Sequence, residues 1–335
     1  MSAGRFLASF DIEDWFHAEN VKPSLPTSDW SRLQWRVERN THDLLDILAQ
    51  AGVRSTFFVL GWIARRHPEL VRRMVAEGHE VASHTYAHHQ LHRLTREELV
   101  ADLARARDTL EQLTGVRVLG VRAPAFTITD QLLDCLAEAR YWYDSSYYAF
   151  QLHHRYGRLE TAIDAEQQVV EIRPGLLELP MTCLRIGPLP VPWAGGGYFR
   201  LIPYPLYRWG VERHLKARGS FMFYFHPWEF DVEETPLPNL PWHMKFRAFV
   251  GRRRMHRDLA KLLVEFGSAR IDDTLRSLGY QPAGEAQDSV RAAISTPKAG
   301  KAPALKSGHT HSASRSPGAP SPDACSPMSV NPRPA

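Results

Sequence analysis

The sequence is poor in cysteine and contains no long apolar run. Its three cysteines form no Cys-x-x-Cys pair, which argues against a disulfide framework and against a cysteine zinc knuckle. No window reaches the roughly 18 uncharged apolar residues of a membrane-spanning helix, so none is expected. The N-terminal residues also lack a hydrophobic stretch of signal-peptide length, which predicts a cytoplasmic protein.

A strong excess of one charge is also missing from most of the chain. The formal net charge of the 335 residues is +4. Residues 281–335 carry six Lys or Arg against three Asp or Glu, so they contribute +3 and leave only +1 for the rest. Nucleic-acid binding needs a clustered basic face, so the basic composition predicts no nucleic-acid partner.

Strand and helix patterns alternate in the first half of the chain. Short β-branched and aromatic runs predict buried strands at 5–12, 53–60, 79–83 and 116–121. Apolar residues at helical spacing predict helices at 35–50, 68–77, 95–113 and 129–140. A late strand is predicted at 220–226. This alternation is typical of an α/β fold with a parallel sheet.

The C-terminal part differs in composition from the rest. Residues 240–280 have helical spacing, whereas the sequence after Tyr280 is dominated by Pro, Ser, Ala and Gly. Such a segment cannot bury enough apolar surface to offset its ordering entropy. We therefore predict a main domain at 1–235, a helical extension packed on it at 236–282 and a disordered tail at 283–335.

Side chains that can carry out chemistry follow the predicted strands. They are Asp11, Glu13, Asp14, His84, His88, Arg122, Asp144 and His226. Taken singly, each has an ordinary explanation, such as a helix cap, a surface loop, an ion pair, a turn or a buried histidine. Because the carboxyl ends of parallel strands share one edge of a sheet or barrel, we expect these residues to converge there.

Together these residue types suit metal-assisted hydrolysis of an amide. Two histidines and one carboxylate form the ligand set of a catalytic zinc, with one coordination position left open. A second carboxylate can accept a proton from the attacking water. A histidine on the other side can protonate the departing amine.

In their order, these motifs resemble the polysaccharide deacetylase family, the NodB-homology group or carbohydrate esterase family 4. The resemblance covers residues 6–230 and rests on His84-Thr-x-x-His88, Arg122-x-Pro, Asp144-Ser-Ser and His226-Pro. The opening Asp-Ile-Glu-Asp-Trp-Phe and the segment His-Pro-Trp-Glu are most similar to members associated with exosortase and exopolysaccharide clusters. The resemblance implies a distorted (β/α) barrel with fewer than eight strands.

The resemblance also implies a role for each matching residue. Asp11 is the expected general base, Arg122 orients it, and His226 is the expected general acid. The backbone N–H of Ala125, where the family usually has Tyr, is the expected oxyanion donor. Asp144 and Trp228 are expected to contact the substrate. His84 and His88 are expected to bind a divalent metal, with Zn²⁺ favoured over Co²⁺ or Ni²⁺.

The first motif departs from the family pattern. The family has Asp-Asp-Gly, with base and ligand adjacent, whereas Ile12 follows Asp11 here. The carboxylate ligand is therefore Glu13 or Asp14. An extended strand puts residues 11 and 13 on one face and favours Glu13, while a bend at the strand end favours Asp14. Both alternatives stay open at this point.

The function implied is removal of N-acetyl groups from a polysaccharide or its precursor during exopolysaccharide biosynthesis. The substrate would be an N-acetylated glycan, and the protein would associate with exopolysaccharide machinery at the inner membrane. One alternative is an allantoinase-like hydrolase of non-peptide C–N bonds. Another is a sugar-binding pseudoenzyme, although base, ligands and acid are all present in the sequence.

Overall fold

The computed structural model describes residues 4–18, 27–149, 159–187, 189–233 and 249–283, together with Trp242 and Phe246. Apart from its first residue, the predicted tail at 283–335 lies outside the described residues. So does most of the 236–248 part of the predicted helical extension. The proposed domain boundaries therefore stay predictions.

Ten strands occur in the described part of the chain. They are β1 (Arg5–Ile12), β2 (Thr56–Val59), β3 (Glu80–Ser83), β4 (Gly120–Val121), β5 (Tyr143–Asp144), β6 (Val170–Arg173), β7 (Leu176–Glu178), β8 (Cys183–Ile186), β9 (Leu189–Pro192) and β10 (Ser220–Phe225). Eight of them form one sheet in the order β10-β1-β2-β3-β4-β5-β7-β6, and β8 pairs with β9 in a separate hairpin.

The α-helices of the described residues mostly alternate with the strands. They are α1 (Val37–Ala51), α2 (Gly61–Arg66), α3 (Pro68–Ala76), α4 (Arg96–Thr114), α5 (Asp130–Glu138), α6 (Gly196–Leu201), α7 (Tyr204–Arg218), α8 (Arg252–Phe266) and α9 (Ile271–Ser277). None of them is long and apolar enough to cross a lipid bilayer.

The main sheet, with parallel strands that alternate with helices, has the predicted α/β architecture. All neighbouring pairs from β10 to β7 are parallel, and β6 joins antiparallel to β7. The sheet thus has eight strands, more than the predicted number. The additional β6–β7 pair comes from residues 150–220, where the sequence has no regular apolar period.

Strand β1 lies at the centre of the core and positions the first site residue. Phe6 and Phe10 pack among aromatic side chains of β2 and β10, with ring centroids 5.6 Å apart for Phe6–Phe221 and 5.1 Å for Phe10–Phe57. Because side chains alternate along a strand, Asp11 points to the face opposite Phe10. Leu7, on the same face as Asp11, belongs to a different core cluster from Phe6.

Candidate metal centre and active site

Most of the sequence-predicted residues meet at the carboxyl edge of the sheet. Asp11 lies at the end of β1, His84 directly follows β3, Arg122 follows β4, and His226 follows β10. These four strands are parallel members of one sheet, so their ends open on the same side. The structure brings these four residues together with Glu13 and His88.

Glu13, His84 and His88 form a buried cluster with the geometry of a metal site. Their ligand atoms all lie within 4.8 Å of one another. Glu13 Oε2 is 2.6 Å from His88 Nε2 and 3.9 Å from His84 Nε2, yet it makes no hydrogen bond in the described part of the chain. This arrangement fits three ligand atoms directed at a shared cation, and two histidines with one carboxylate suit a zinc-type ion.

The tautomer of His84 is set by the neighbouring strand. Its Nδ1 lies 2.8 Å from the backbone carbonyl oxygen of Arg122, which can only accept a hydrogen bond. Nδ1 therefore carries the proton, and the Nε2 lone pair faces Glu13. Burial lowers the pKa of His84 to about 4, against the raising effect of Asp11, so the ring is neutral as a metal ligand requires.

The loop between the two histidines is held in an uncommon conformation. Thr85 and His88 have positive φ values of 67° and 55°. The backbone N–H groups of Tyr86 and Ala87 donate to Asp102 on α4, at 2.9 and 3.3 Å. Sequence reasoning missed Asp102, although a carboxylate between Leu99 and Leu103 on an apolar helix face was a usable signal.

Asp14 is not part of the cluster in the structure, so the cluster favours Glu13 as the carboxylate ligand. Its Oδ2 accepts from the backbone N–H groups of Arg36 and Val37 at 2.7 and 3.0 Å, and its Oδ1 accepts from Trp15 at 2.8 Å. The carboxylate thus caps the start of α1. The chain turns just after β1, where Glu13 N–H donates to Asp11 O at 3.1 Å, and this turn directs Glu13 to the histidines.

Asp11 and Arg122 form a buried ion pair beside the cluster. Arg122 Nη1 is 2.7 Å from Asp11 Oδ1, and its Nε and Nη2 donate to the backbone oxygen and Oγ of Ser145. Burial favours the neutral acid, but the positive charges of Arg122 and His226 hold the pKa of Asp11 below its usual value. The carboxylate is therefore ionised and oriented, as a proton acceptor must be.

His226 lies beside both Asp11 and the cluster. Its Nε2 is 3.8 Å from Asp11 Oδ2 and 3.5 Å from Glu13 Oε1, while its Nδ1 is 3.1 Å from Glu229 Oε1. Burial favours the neutral ring, but the negative charges of Glu13, Glu229 and Asp11 raise the pKa of His226 to about 9. The imidazole is thus a proton donor at neutral pH.

Trp228 and Ala125 both lie at this edge. Trp228 stacks on His226 with ring centroids 5.1 Å apart, and its indole N–H donates to Glu13 Oε1 at 3.2 Å. Its contact in the structure is therefore with a candidate ligand. Ala125 and the next residue, Phe126, have φ values of 53° and 56°, a left-handed turn that non-glycine residues adopt at a cost.

Asp144 lies among other buried polar groups, and its role as a substrate contact stays a prediction. It is fully buried, accepts from Ser146 Oγ at 2.6 Å, and lies beside the buried Glu178 of β7. Burial raises the pKa of Asp144 to about 6, against the hydrogen bond from Ser146. Sequence reasoning also missed two residues behind His226: Glu229, within the His-Pro-Trp-Glu segment, and Arg200, for which no local signal existed.

Two family models match consecutive regions of the chain. Residues 29–143 match the polysaccharide deacetylase family, and residues 145–276 match a domain of unknown function, DUF3473. A chitooligosaccharide deacetylase of Sinorhizobium fredii is 38% identical over 100 residues, which are 30% of this chain and 46% of that protein. The peptidoglycan-N-acetylmuramic acid deacetylase PdaC of Bacillus subtilis is 37% identical over 92 residues, 28% of this chain and 20% of that one.

These matches span less than half of the curated relatives. The crystal structure of a putative polysaccharide deacetylase from Mycobacterium smegmatis has the same fold, with a TM-score of 0.51 at 21% identity, covering 91% of this chain and 96% of that one. The chain therefore contains a region at residues 29–143 that matches the polysaccharide deacetylase family, followed by a region at 145–276 that matches DUF3473.

Proposed function

We propose that this protein is a metal-dependent hydrolase that removes N-acetyl groups from a polysaccharide or its precursor. One observation carries the proposal: the buried Glu13–His84–His88 cluster lies beside an ionised carboxylate, Asp11, and a protonated imidazole, His226. A base and an acid next to a Lewis-acid site suit hydrolysis of an amide. The names of the relatives, chitooligosaccharide and peptidoglycan deacetylases, support an N-acetylated glycan as substrate.

Glu13, His84 and His88 would hold the metal. Zn²⁺ is our first choice because it prefers this donor set, and Co²⁺ or Ni²⁺ suits the same ligands. When bound, the cation supplies Lewis acidity, which polarises the acetyl carbonyl and makes a water easier to deprotonate.

Asp11 would accept the proton of the attacking water. Arg122 keeps this carboxylate ionised and fixes its direction through the 2.7 Å ion pair. As the water oxygen bonds to the acetyl carbon, negative charge develops on the carbonyl oxygen. The backbone N–H of Ala125 would donate a hydrogen bond to that oxygen.

His226 would give a proton to the sugar nitrogen as the C–N bond breaks. The products are acetate and a free amine on the glycan. One proton moves from water to Asp11, and another moves from His226 to the leaving nitrogen. The second proton of the water stays on the new carboxyl group and is released to solvent when acetate forms, while Asp11 and His226 regain their starting states by proton exchange. The Nε2 atom of His226 faces the cluster and suits this transfer.

We further propose that the glycan is an exopolysaccharide or its precursor, handled in the cytoplasm in association with export machinery at the inner membrane. The similarity of the Asp11–Phe16 opening and the 226–229 segment to exopolysaccharide-associated deacetylases supports this proposal. The substrate class and the partners follow from that similarity alone.

Acetate release from a panel of substrates tests the proposal. The panel contains N-acetylated chitooligosaccharides and N-acetylated exopolysaccharide fragments. Allantoin, a rival substrate without an acetyl group, is assayed separately by loss of the intact ring compound. We expect acetate from at least one glycan with the wild-type protein and none with His84→Ala. Hydrolysis of allantoin alone would support the rival hydrolase, and glycan binding without turnover by the metal-loaded protein would support a pseudoenzyme.

A further inference from the structure

A buried ionic chain stands directly behind His226. Glu229 and Arg200 are only 3% and 4% exposed. Glu229 Oε2 accepts from Arg200 Nε at 2.8 Å, and Arg200 Nη2 lies 2.8 Å from the same oxygen. The other carboxylate oxygen, Oε1, lies 3.1 Å from both the backbone nitrogen and the Nδ1 of His226. Each oxygen of Glu229 thus faces a different partner.

The start of α6 leaves room for this carboxylate. A Cβ atom at Gly196 would lie 2.5 Å from Phe225 Cβ, 2.6 Å from Glu229 Oε1 and 2.8 Å from Oε2, closer than real side chains approach. At the next residue, Gly197, the nearest atom to such a Cβ is Arg200 Nη2 at 4.0 Å. Neither glycine has a positive φ, so alanine at these positions differs mainly in steric contact.

Arg200 also forms hydrogen bonds with residues that follow it later in the chain. Its Nη1 donates to the backbone oxygen of Val250 at 2.8 Å, and Arg254 donates to the backbone oxygen of Arg200. All these residues belong to the 145–276 region. This region therefore contributes both His226 and the structure that surrounds its far side.

We propose that Glu229 and Arg200 are positioning residues for His226, and that Gly196 provides the space they need. The inference deepens the proposed function and rests on it. Glu229 accepts the Nδ1 hydrogen, so the ring turns its Nε2 to the substrate side. Arg200 holds the carboxylate in place. The region of unknown function thereby completes the active site by orienting its proton donor.

The isosteric variant Glu229→Gln tests this orientation. Two charged N–H groups of Arg200 face Oε2, whereas the backbone N–H of His226 is the one obligatory donor at Oε1. The amide oxygen therefore takes the Oε2 position, and the amide NH₂ turns to His226. Nδ1 must then accept a hydrogen bond and lose its proton. In ¹⁵N-histidine-labelled full-length protein, with and without added Zn²⁺, two-bond ¹⁵N–¹H correlation spectra should show protonated Nδ1 in the wild type. They should show unprotonated Nδ1 in the variant. The resonance is assigned by its loss in His226→Gln.

Kinetics on an N-acetylated chitooligosaccharide give the second readout. Because a positioned acid contributes at least about 10²-fold, we expect Glu229→Gln to lower kcat by roughly 10- to 100-fold with KM within about twofold. Zinc content should stay at the wild-type level. Gly196→Ala should lower kcat in the same way, whereas Gly197→Ala should keep the wild-type value.

Retained protonation of Nδ1 in Glu229→Gln would overturn the inference, as would equal kcat in Gly196→Ala and Gly197→Ala. If the proposed function is wrong, the experiments give a different result. In that case the wild-type protein itself releases no acetate, and the protonation of Nδ1 still decides the role of Glu229.

Discussion

Arg122 accepts a hydrogen bond from His84 through its backbone and forms an ion pair with Asp11 through its side chain. The His84 Nδ1 to Arg122 O distance is 2.8 Å, and the Arg122 Nη1 to Asp11 Oδ1 distance is 2.7 Å. One residue at the end of β4 thus sets the tautomer of a candidate metal ligand and the direction of the candidate base. The tautomer of His84 and the direction of the Asp11 carboxylate therefore both depend on Arg122.

The adjacent carboxylates Glu13 and Asp14 should respond oppositely to removal of charge. Glu13→Gln replaces a ligand oxygen in the cluster, so we expect it to lose bound metal. Asp14→Asn should keep the metal but lower the free energy of unfolding by about 1–3 kcal/mol, because an amide group then faces backbone N–H donors. Metal content after dialysis and chemical denaturation measure the two effects. Loss of metal in Asp14→Asn with full metal in Glu13→Gln would reverse the ligand assignment.

Asp102 should affect metal affinity without touching the metal. Its carboxylate accepts from the N–H groups of Tyr86 and Ala87, between the two histidine ligands. In Asp102→Asn one of these donors faces an amide group, so we expect metal affinity to fall by about 10-fold. Competition with a chelator of known affinity measures this change. Asp108→Asn, at an exposed position of the same helix, should bind metal like the wild type. Equal affinities in the two variants would contradict the role of Asp102.

Glu80 should make the protein less stable at alkaline pH. Burial and the negative charge of Asp272 raise the pKa of Glu80 to about 8, while hydrogen bonds from Thr56 and Tyr143 oppose this shift. Since the unfolded value is near 4.5, the folded state binds more protons, and its stability falls as pH rises through about 8. Glu80→Gln keeps the acceptor oxygen but cannot ionise. Between pH 5 and pH 9, the free energy of unfolding should therefore fall by a few kcal/mol less in Glu80→Gln than in the wild-type protein. The same decline in both proteins would contradict this assignment.

Local patterns in the sequence predict much of the fold and part of the site. The predicted bounds of β1 match those observed, and the helix predicted at 95–113 is observed as α4, which begins at a capping box of Thr95 and Glu98. The two histidines spaced by four residues after a buried strand also come together with a carboxylate. These features depend on short-range periodicity and on the common edge of parallel strands, both of which can be read from one sequence.

Residues that depend on long-range contacts could not be predicted in this way. Asp144 is buried beside Glu178, which lies 34 residues further along in a region without regular apolar spacing. Arg200 meets Glu229 only because α6 packs near β10. The choice between Glu13 and Asp14 depends on a single turn after β1 and on the distant N–H groups of Arg36 and Val37. The spacing of residues along the sequence does not show which distant residues come into contact.

Metal content and acetate release, measured side by side in the wild-type protein and in Asp11→Asn, test the central claim most directly. Asn keeps the size of the side chain but cannot accept the proton of the attacking water. We expect both proteins to bind about one equivalent of divalent metal, as one cluster implies. Only the wild type should release acetate from an N-acetylated glycan, and chelation should abolish that activity. Acetate release that stays unchanged when the metal is removed from the wild-type protein would contradict the account. Full activity in the Asp11→Asn variant would also contradict it.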